Sequence, residues 1–587
     1  MALIICRETS RTSDGGIRRF AGIVALAALG LVAGAVSPAA MTAGEATTAK
    51  VDQLFAAWDK TTSPGAALAV IQDGRIIYER GYGMAKIEDG IVNTPDKVFD
   101  IGSVSKQFTA ACLALLVREG KVKVDDDIRK YLPEMPVYEK PVTVRHLLHH
   151  TSGLRDYNAL LELAGFRADA DCPTVAEALE IVRRQKKLND TPGDEYSYTN
   201  TGFFLLSQIV ERVSGKSLNA FAQEHIFKPL GMMRTLFQDD HTQLIRDRAT
   251  GYAGGEGGTF KISLSNWDET GDGNVYTTVR DLACWDQAFY SGALGRGVMD
   301  MLQTTDVLNS GEKTTYAWGL VVRKYRGLKV VEHGGAWVGF RAALVRFPEQ
   351  RFSVIILSNL DSFDPSGLAF KIADIYLAGQ LKGPEAGGPA SKAATTPAGP
   401  AALSVPSAEL EALTGHWQDV RFGDWLTLSL KEGKLIAALG GRDFPLTPVA
   451  PGKYVVTERP DVSITFKPAG RQNPATAELT AGSTVEYRFE KAPPLKAPSA
   501  ADLASWAGTY VSEELLDVRY KLSVKNGQLM VEMRTIAPTP LKAMAADKFT
   551  VPDLDCNLEF TRGRNGQVDG FELSTGRASG IVFKKVV

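Results

Sequence analysis

"IGSVSKQFTAACLALLVREGKV", residues 101–122, sets two serines and a lysine at the mouth of a long apolar helix. Phe108, Ala111, Cys112, Leu115 and Leu116 fall at the i, i+3, i+4, i+7, i+8 spacing of a buried helical face. Gly120 supplies the C-terminal stop, and Arg118 lies in the last turn, where the helix dipole favours a cation. Ser103 therefore starts the helix, with Lys106 one turn along on the same face. Two readings follow. Ser103 is a plain N-cap beside a solvated lysine, or it is a nucleophile with a basic partner. Ser-x-x-Lys is short and common, so the rest of the chain decides.

Upstream of this stretch, "AALAVIQDGRIIYERGYG" alternates on either side of Asp73-Gly74 and reads as a β-hairpin. Downstream come the helical patterns "VAEALEIVRRQKK" and "GFFLLSQIVERVSG", then the strand-like runs "YAWGLVVRKY", "LKVVEHGG", "FRAALVRFPE" and "RFSVIILSN". Strands at both ends with helices between predict an α+β block over residues 50–381, its sheet antiparallel, with no parallel βαβ repeat. The composition then changes. "GPEAGGPASKAATTPAGPAAL" has almost no large apolar residue and reads as a linker over 382–405. Beyond it, residues 413–439 and 506–533 align with each other. Each has a glycine before an aromatic residue, an alternating strand, a turn (Glu432-Gly433 or Asn526-Gly527) and a second strand. A repeat of roughly 90 residues predicts two small antiparallel β-barrels, 406–493 and 500–587.

The 587 residues carry a net charge of -2, which points to neither a nucleic-acid partner nor a polybasic membrane surface. Arg7, Arg11, Arg18 and Arg19 precede the apolar run "FAGIVALAALGLVAGAV", and small residues follow it. That pattern predicts a secretory signal over residues 1–43, a periplasmic or secreted protein, and no stable membrane span in the mature chain. Of five cysteines, Cys6 lies in that segment, and Cys112, Cys172, Cys284 and Cys556 are too scattered to suggest a zinc site or a disulfide framework. "HLLHHTSGL" reads as a helix end running into a turn rather than as metal ligands. Oligomeric state is left open.

A nucleophilic serine needs a base, an acid for the leaving group and donors for the oxyanion. Backbone N–H groups at a helix start suit a developing negative charge beside Ser103. In "EYSYTNTGF", Tyr198 and Asn200 stand two apart before a helix, with Thr199 or Asn200 available as its N-cap. A tyrosine beside ammonium groups is expected to have a depressed pKa and to shuttle protons. "VVEHGGAWVGF" ends an apolar strand with His333, Gly334 and Gly335, glycines that let a substrate lie against the strand edge.

Taken in order, Ser103-x-x-Lys106, Tyr198-x-Asn200 and His333-x-Gly335 resemble the three motifs of the serine β-lactamase/penicillin-binding protein superfamily, and "GDGNVYTTVRDLACW" resembles its site wall. The resemblance implies an α/β sandwich with an all-helical subdomain and a site at their junction. It implies that Ser103, not Ser105, is acylated, that Lys106 and Tyr198 move protons, and that Asn200 binds the acyl oxygen. The N–H groups of Ser103 and Ala336 would form the oxyanion hole, and no metal or organic cofactor is required. Members acting on carboxylated β-lactams usually carry lysine where His333 stands; a His-x-Gly third motif occurs in relatives acting on D-amino-acid amides and in esterase-like ones. The three-block layout is similar to D-aminopeptidases, in which a barrel loop reaches the site. On that similarity, Asp553 and Asp555 are candidates to bind a substrate ammonium. The expectation is a serine hydrolase of small peptides, amides or esters, foremost a D-aminopeptidase. The alternatives are a carboxylesterase or weak β-lactamase, and a penicillin-binding-like sensor with little turnover.

Overall fold

The computed structural model describes residues 43–382 and 405–586, apart from 422, 440, 441, 458, 471–473, 482, 483, 552, 553 and 555. The signal-like segment and the linker thus lie almost wholly outside the described residues.

The hairpin forms where Asp73 (φ 51°) and Gly74 (φ 81°) adopt the positive φ of a two-residue turn. It joins β1 (Ala66–Gln72) to β2 (Arg75–Tyr82). Four later strands complete an antiparallel sheet: β3 (Val321–Tyr325), β4 (Leu328–Trp337), β5 (Phe340–Phe347) and β6 (Phe352–Ser358). The order is β3-β4-β5-β6-β1-β2, so the block's two chain ends meet where Ala66 pairs with Ser358 and Val70 with Val354. Successive residues of β1 point to opposite faces, and both faces are buried. Ala67, Ala69 and Ile71 enter the core shared with the helical region, whereas Ala66, Leu68 and Val70 pack with Leu368, Ile372 and Ala373 of a covering helix (Pro365–Tyr376). On the helical side lie α1 (Lys106–Arg118), α2 (Asn200–Ser214) and α3 (Val279–Ser291). Phe108 of α1 packs against Trp285 of α3, with ring centroids 4.6 Å apart. This is the expected sandwich with a helical region.

Eight strands between Gly415 and Lys491 form a closed barrel, its first strand pairing with its last through Trp417 and Lys491. The second module is also the antiparallel barrel expected, short of full closure. Nine strands from Gly508 to Val586 form one antiparallel sheet whose edge strands, Ile536–Pro540 and Lys542–Ala545, follow each other in the chain, so the ring is nearly closed. The aromatic residues of the sequence repeat, Trp417 and Tyr510, are each buried in the opening strand. The eight-stranded barrel has a core of its own, while that of the nine-stranded sheet is continuous with the helical region. At this contact the buried Arg155 donates to Glu514 Oε1 at 3.1 Å, to Gln185 Oε1 at 2.8 Å and to the Gly580 carbonyl at 3.0 Å. No described helix is long and apolar enough to cross a membrane.

Candidate active site

Gly102–Ser105 forms a single 3-10 turn that leads into α1. Asp100 Oδ1 accepts from the Gly102 N–H at 2.8 Å and fixes that turn. The two serines divide the work. Ser105 is buried, and its hydroxyl accepts from the Val275 N–H at 3.1 Å, tying the helix to the wall strand Val275–Thr277. Ser103 caps nothing; its Oγ faces the cavity and takes a hydrogen bond from Lys106 Nζ at 3.0 Å. Lys106 is wholly buried, so it is not the solvated lysine of the plainer reading. Its other two hydrogen bonds go to Asn200 Oδ1 and the Asp272 carbonyl, both at 2.8 Å. Burial draws its pKa down to about 8 against the opposing charges of Asp272 and Asp156. Two of the three bonds end on carbonyl-type acceptors that cannot donate. In the neutral amine those acceptors hold both protons, and the lone pair is left facing the Ser103 hydroxyl.

Thr199 caps α2 through the Thr201 N–H, leaving the Asn200 side chain free to meet Lys106. With Oδ1 occupied, Asn200 Nδ2 is available to an acyl oxygen. Tyr198 corrects an expectation. Its phenol is raised, not depressed, because burial outweighs the lowering effects of Ser103 and Arg577. Lys106 lies 5.0 Å from the centre of the Tyr198 ring, over its face rather than beside the hydroxyl. The buried hydroxyl makes no hydrogen bond of normal geometry among the described residues. Tyr198 is therefore a neutral proton donor.

Pairing between β3 and β4 ends at Val321 and Glu332, and the backbone of β4 from His333 onward borders the cavity. His333 is buried, and its pKa falls to about 4, chiefly from burial. Its Nδ1 donates to the Gly334 carbonyl at 2.6 Å, so Nε2 accepts from the Tyr316 hydroxyl at 2.9 Å and the ring stays neutral. Gly335 is required by contact: a Cβ there would lie 1.9 Å from the Ile101 carbonyl oxygen. Without one, β4 lies against the Ser103 turn and brings the Ala336 N–H to the same end of the cavity. The N–H groups of Ser103 and Ala336 can receive an oxyanion.

Sequence reasoning missed several residues of the cavity, whose volume is about 740 Å³. Asp156 accepts from the Asn200 N–H at 2.6 Å, and Asp272 Oδ1 from the Tyr157 hydroxyl at 3.0 Å. Glu269 and Trp267 line the wall. Arg577, in the last turn of the nine-stranded sheet, lies 5.3 Å from the Tyr198 ring centre and 3.9 Å from Asp156 Oδ2. Asp272 lies in the wall segment that the sequence already offered, whereas Asp156, Glu269, Trp267 and Arg577 stand in no recognisable motif, and the approach of Arg577 depends on how the modules dock. Asp553 and Asp555 lie outside the described residues. Among the described residues, one group has the donors for a metal ion. Cys172, His241 and Asp268 hold their ligand atoms within 4.8 Å of one another near the surface, and none of the three lines the cavity.

A family model described as Beta-lactamase matches residues 51–376. The chain is 33% identical over 316 residues to a D-aminopeptidase of Brucella anthropi, covering 54% of this chain and 59% of that protein. It is 30% identical to penicillin-binding protein 4* of Bacillus subtilis, covering 50% of this chain and 68% of that protein. The chain thus spans less than two-thirds of the length of the Brucella anthropi D-aminopeptidase. Among solved structures, the octameric penicillin-binding protein homologue from Pyrococcus abyssi shares the fold. The TM-score is 0.54 at 24% identity, over 77% of this chain and 100% of that one.

Proposed function

The chain belongs to the beta-lactamase family, and we propose that it is a serine hydrolase acting through an acyl-enzyme on Ser103, with D-amino-acid amides or short peptides as substrates. The observation that carries the catalytic reading is the 3.0 Å contact between Ser103 Oγ and a wholly buried Lys106. Neutral Lys106 takes the serine proton as Oγ attacks the carbonyl carbon, and the Ser103 and Ala336 N–H groups hold the oxyanion. As the tetrahedral adduct collapses, the leaving amine takes a proton from Tyr198 or from Lys106, and water then cleaves the ester on Ser103.

Two observations support the choice of substrate. His333 is neutral, so it gives a substrate carboxylate no fixed charge at that position. Proteins similar to this chain carry the name D-aminopeptidase. The signal-like N-terminus supports action outside the cytoplasm.

The test is hydrolysis of D-alanyl-p-nitroanilide, L-alanyl-p-nitroanilide, p-nitrophenyl butyrate and nitrocefin by wild type and by Ser103→Ala. D-selective anilide cleavage that disappears in the variant is expected. Turnover of the ester alone would make the protein a carboxylesterase. Activity that survives in Ser103→Ala would remove the acyl-enzyme.

A further inference from the structure

An enzyme that takes substrates with a free amine needs an acceptor for an ammonium group, and a carboxylate is the strong one. Three buried carboxyl groups line the cavity, and two of them are already engaged. Asp156 accepts from the Ala159 N–H through Oδ1 and from the Asn200 N–H through Oδ2, which also faces Arg577. Asp272 accepts from the Tyr157 hydroxyl, and the charge of Lys106 favours its ionised form.

Glu269 differs. It is 3% exposed, and neither carboxyl oxygen has a hydrogen-bond partner among the described residues. Beside it in the wall, the Trp267 indole N–H is also without a partner. Leaving a buried polar group unmet is costly, more so if it is charged, so folds rarely keep one unless something else satisfies it. The arginines of the cavity do not supply that partner. Arg341 donates to the carbonyls of Val338 and Phe340, and Arg577 turns to Asp156 and Tyr198.

We propose that Glu269 binds the ammonium group of the substrate, so that the site selects acyl groups carrying a free amine. The proposal rests on the amidase reading above for its choice of an amine. The electrostatics of the carboxyl agree with it. Burial, helped by the charges of Asp272, Asp268 and Glu177, pushes the carboxyl up to about 8, so the acid waits protonated and ionises when a cation arrives.

Calorimetric titration tests this without turnover, on the full chain carrying Ser103→Ala. D-Alaninamide is expected to bind at least about tenfold more tightly than N-acetyl-D-alaninamide, and adding Glu269→Gln should bring the two within about twofold. No preference with Glu269 present, or the same preference without it, overturns the proposal. Thermal melting supplies a second reading. Removing an unpaired buried acid should leave the melting point unchanged or raise it. A clear fall would mark Glu269 as a structural acid and count against the assignment. The amidase reading fails separately, if wild-type protein binds the free amine by way of Glu269 yet leaves D-alanyl-p-nitroanilide uncleaved.

Discussion

At the scale of single residues, chemistry turns on one buried amine. Its protonated form has no lone pair for the Ser103 proton, and burial brings the pKa that controls this form to about 8. The value of kcat/KM for an uncharged ester should therefore fall as pH drops through about 8, and Lys106→Arg, which stays protonated, should lose nearly all turnover. A flat profile from pH 6 to 9 would take the base role away from Lys106. Gly335 tests the contact rather than the proton. A methyl group there meets the Ile101 carbonyl and pushes β4 off the Ser103 turn, so Gly335→Ala should lower kcat/KM by about 10²-fold through misplacement of the oxyanion donors. Unchanged kinetics in a folded variant would show that the Ala336 N–H takes no part. Ser103, Lys106 and Asn200 were legible because short motifs at two helix starts follow each other in an order that resembles a known superfamily. The state of Tyr198 was not. Spacing reveals that a cation is near, but not that it lies over the ring face of a phenol whose burial dominates.

At the scale of elements, what could be read was whatever the local chain decides. Turns at Asp73-Gly74, Glu432-Gly433 and Asn526-Gly527 all adopt the positive φ values their residues permit, and each hairpin follows. Docking is a different matter. Arg155 and Glu514 stand 359 positions apart, and neither residue looks unusual in its own segment. Buried together, Arg155 spans three acceptors, while Glu514 also accepts from the N–H groups of Lys186 and Val582. Removing one partner leaves an uncompensated buried charge, which costs about 3–5 kcal/mol. Glu514→Ala should therefore loosen the nine-stranded sheet from the helical region and lower the denaturant midpoint of the full chain. Limited proteolysis should then cut ahead of Gly508 faster than in wild type. An unaltered midpoint would mean the apolar contact holds the modules without this pair.

At the scale of the whole molecule, the nine-stranded sheet is part of the site. Its last two strands, Val568–Thr575 and Ala578–Val586, meet in a turn at Gly576-Arg577. The Asp156 N–H and Asn189 Nδ2 both donate to the Arg577 carbonyl, at 3.1 and 2.9 Å, so the turn is fixed to the helical region from both sides. The guanidinium then stands beside Tyr198, and its charge lowers the pKa of Lys106. The sign follows directly. Without that charge the protonated amine is less opposed, its pKa rises, and the acid limb of the kcat/KM profile moves to higher pH. Arg577→Ala should show that displacement, and Arg577→Lys should show less of it, because the charge stays near its place. The Arg577 side chain is 51% exposed, so the difference between wild type and Arg577→Ala should shrink as salt is raised. An acid limb that does not move in Arg577→Ala, with the protein folded, would reduce this turn to a wall of the cavity. A limb that moves and responds to salt would mean that a module folded from the last part of the chain sets the proton affinity of the catalytic lysine.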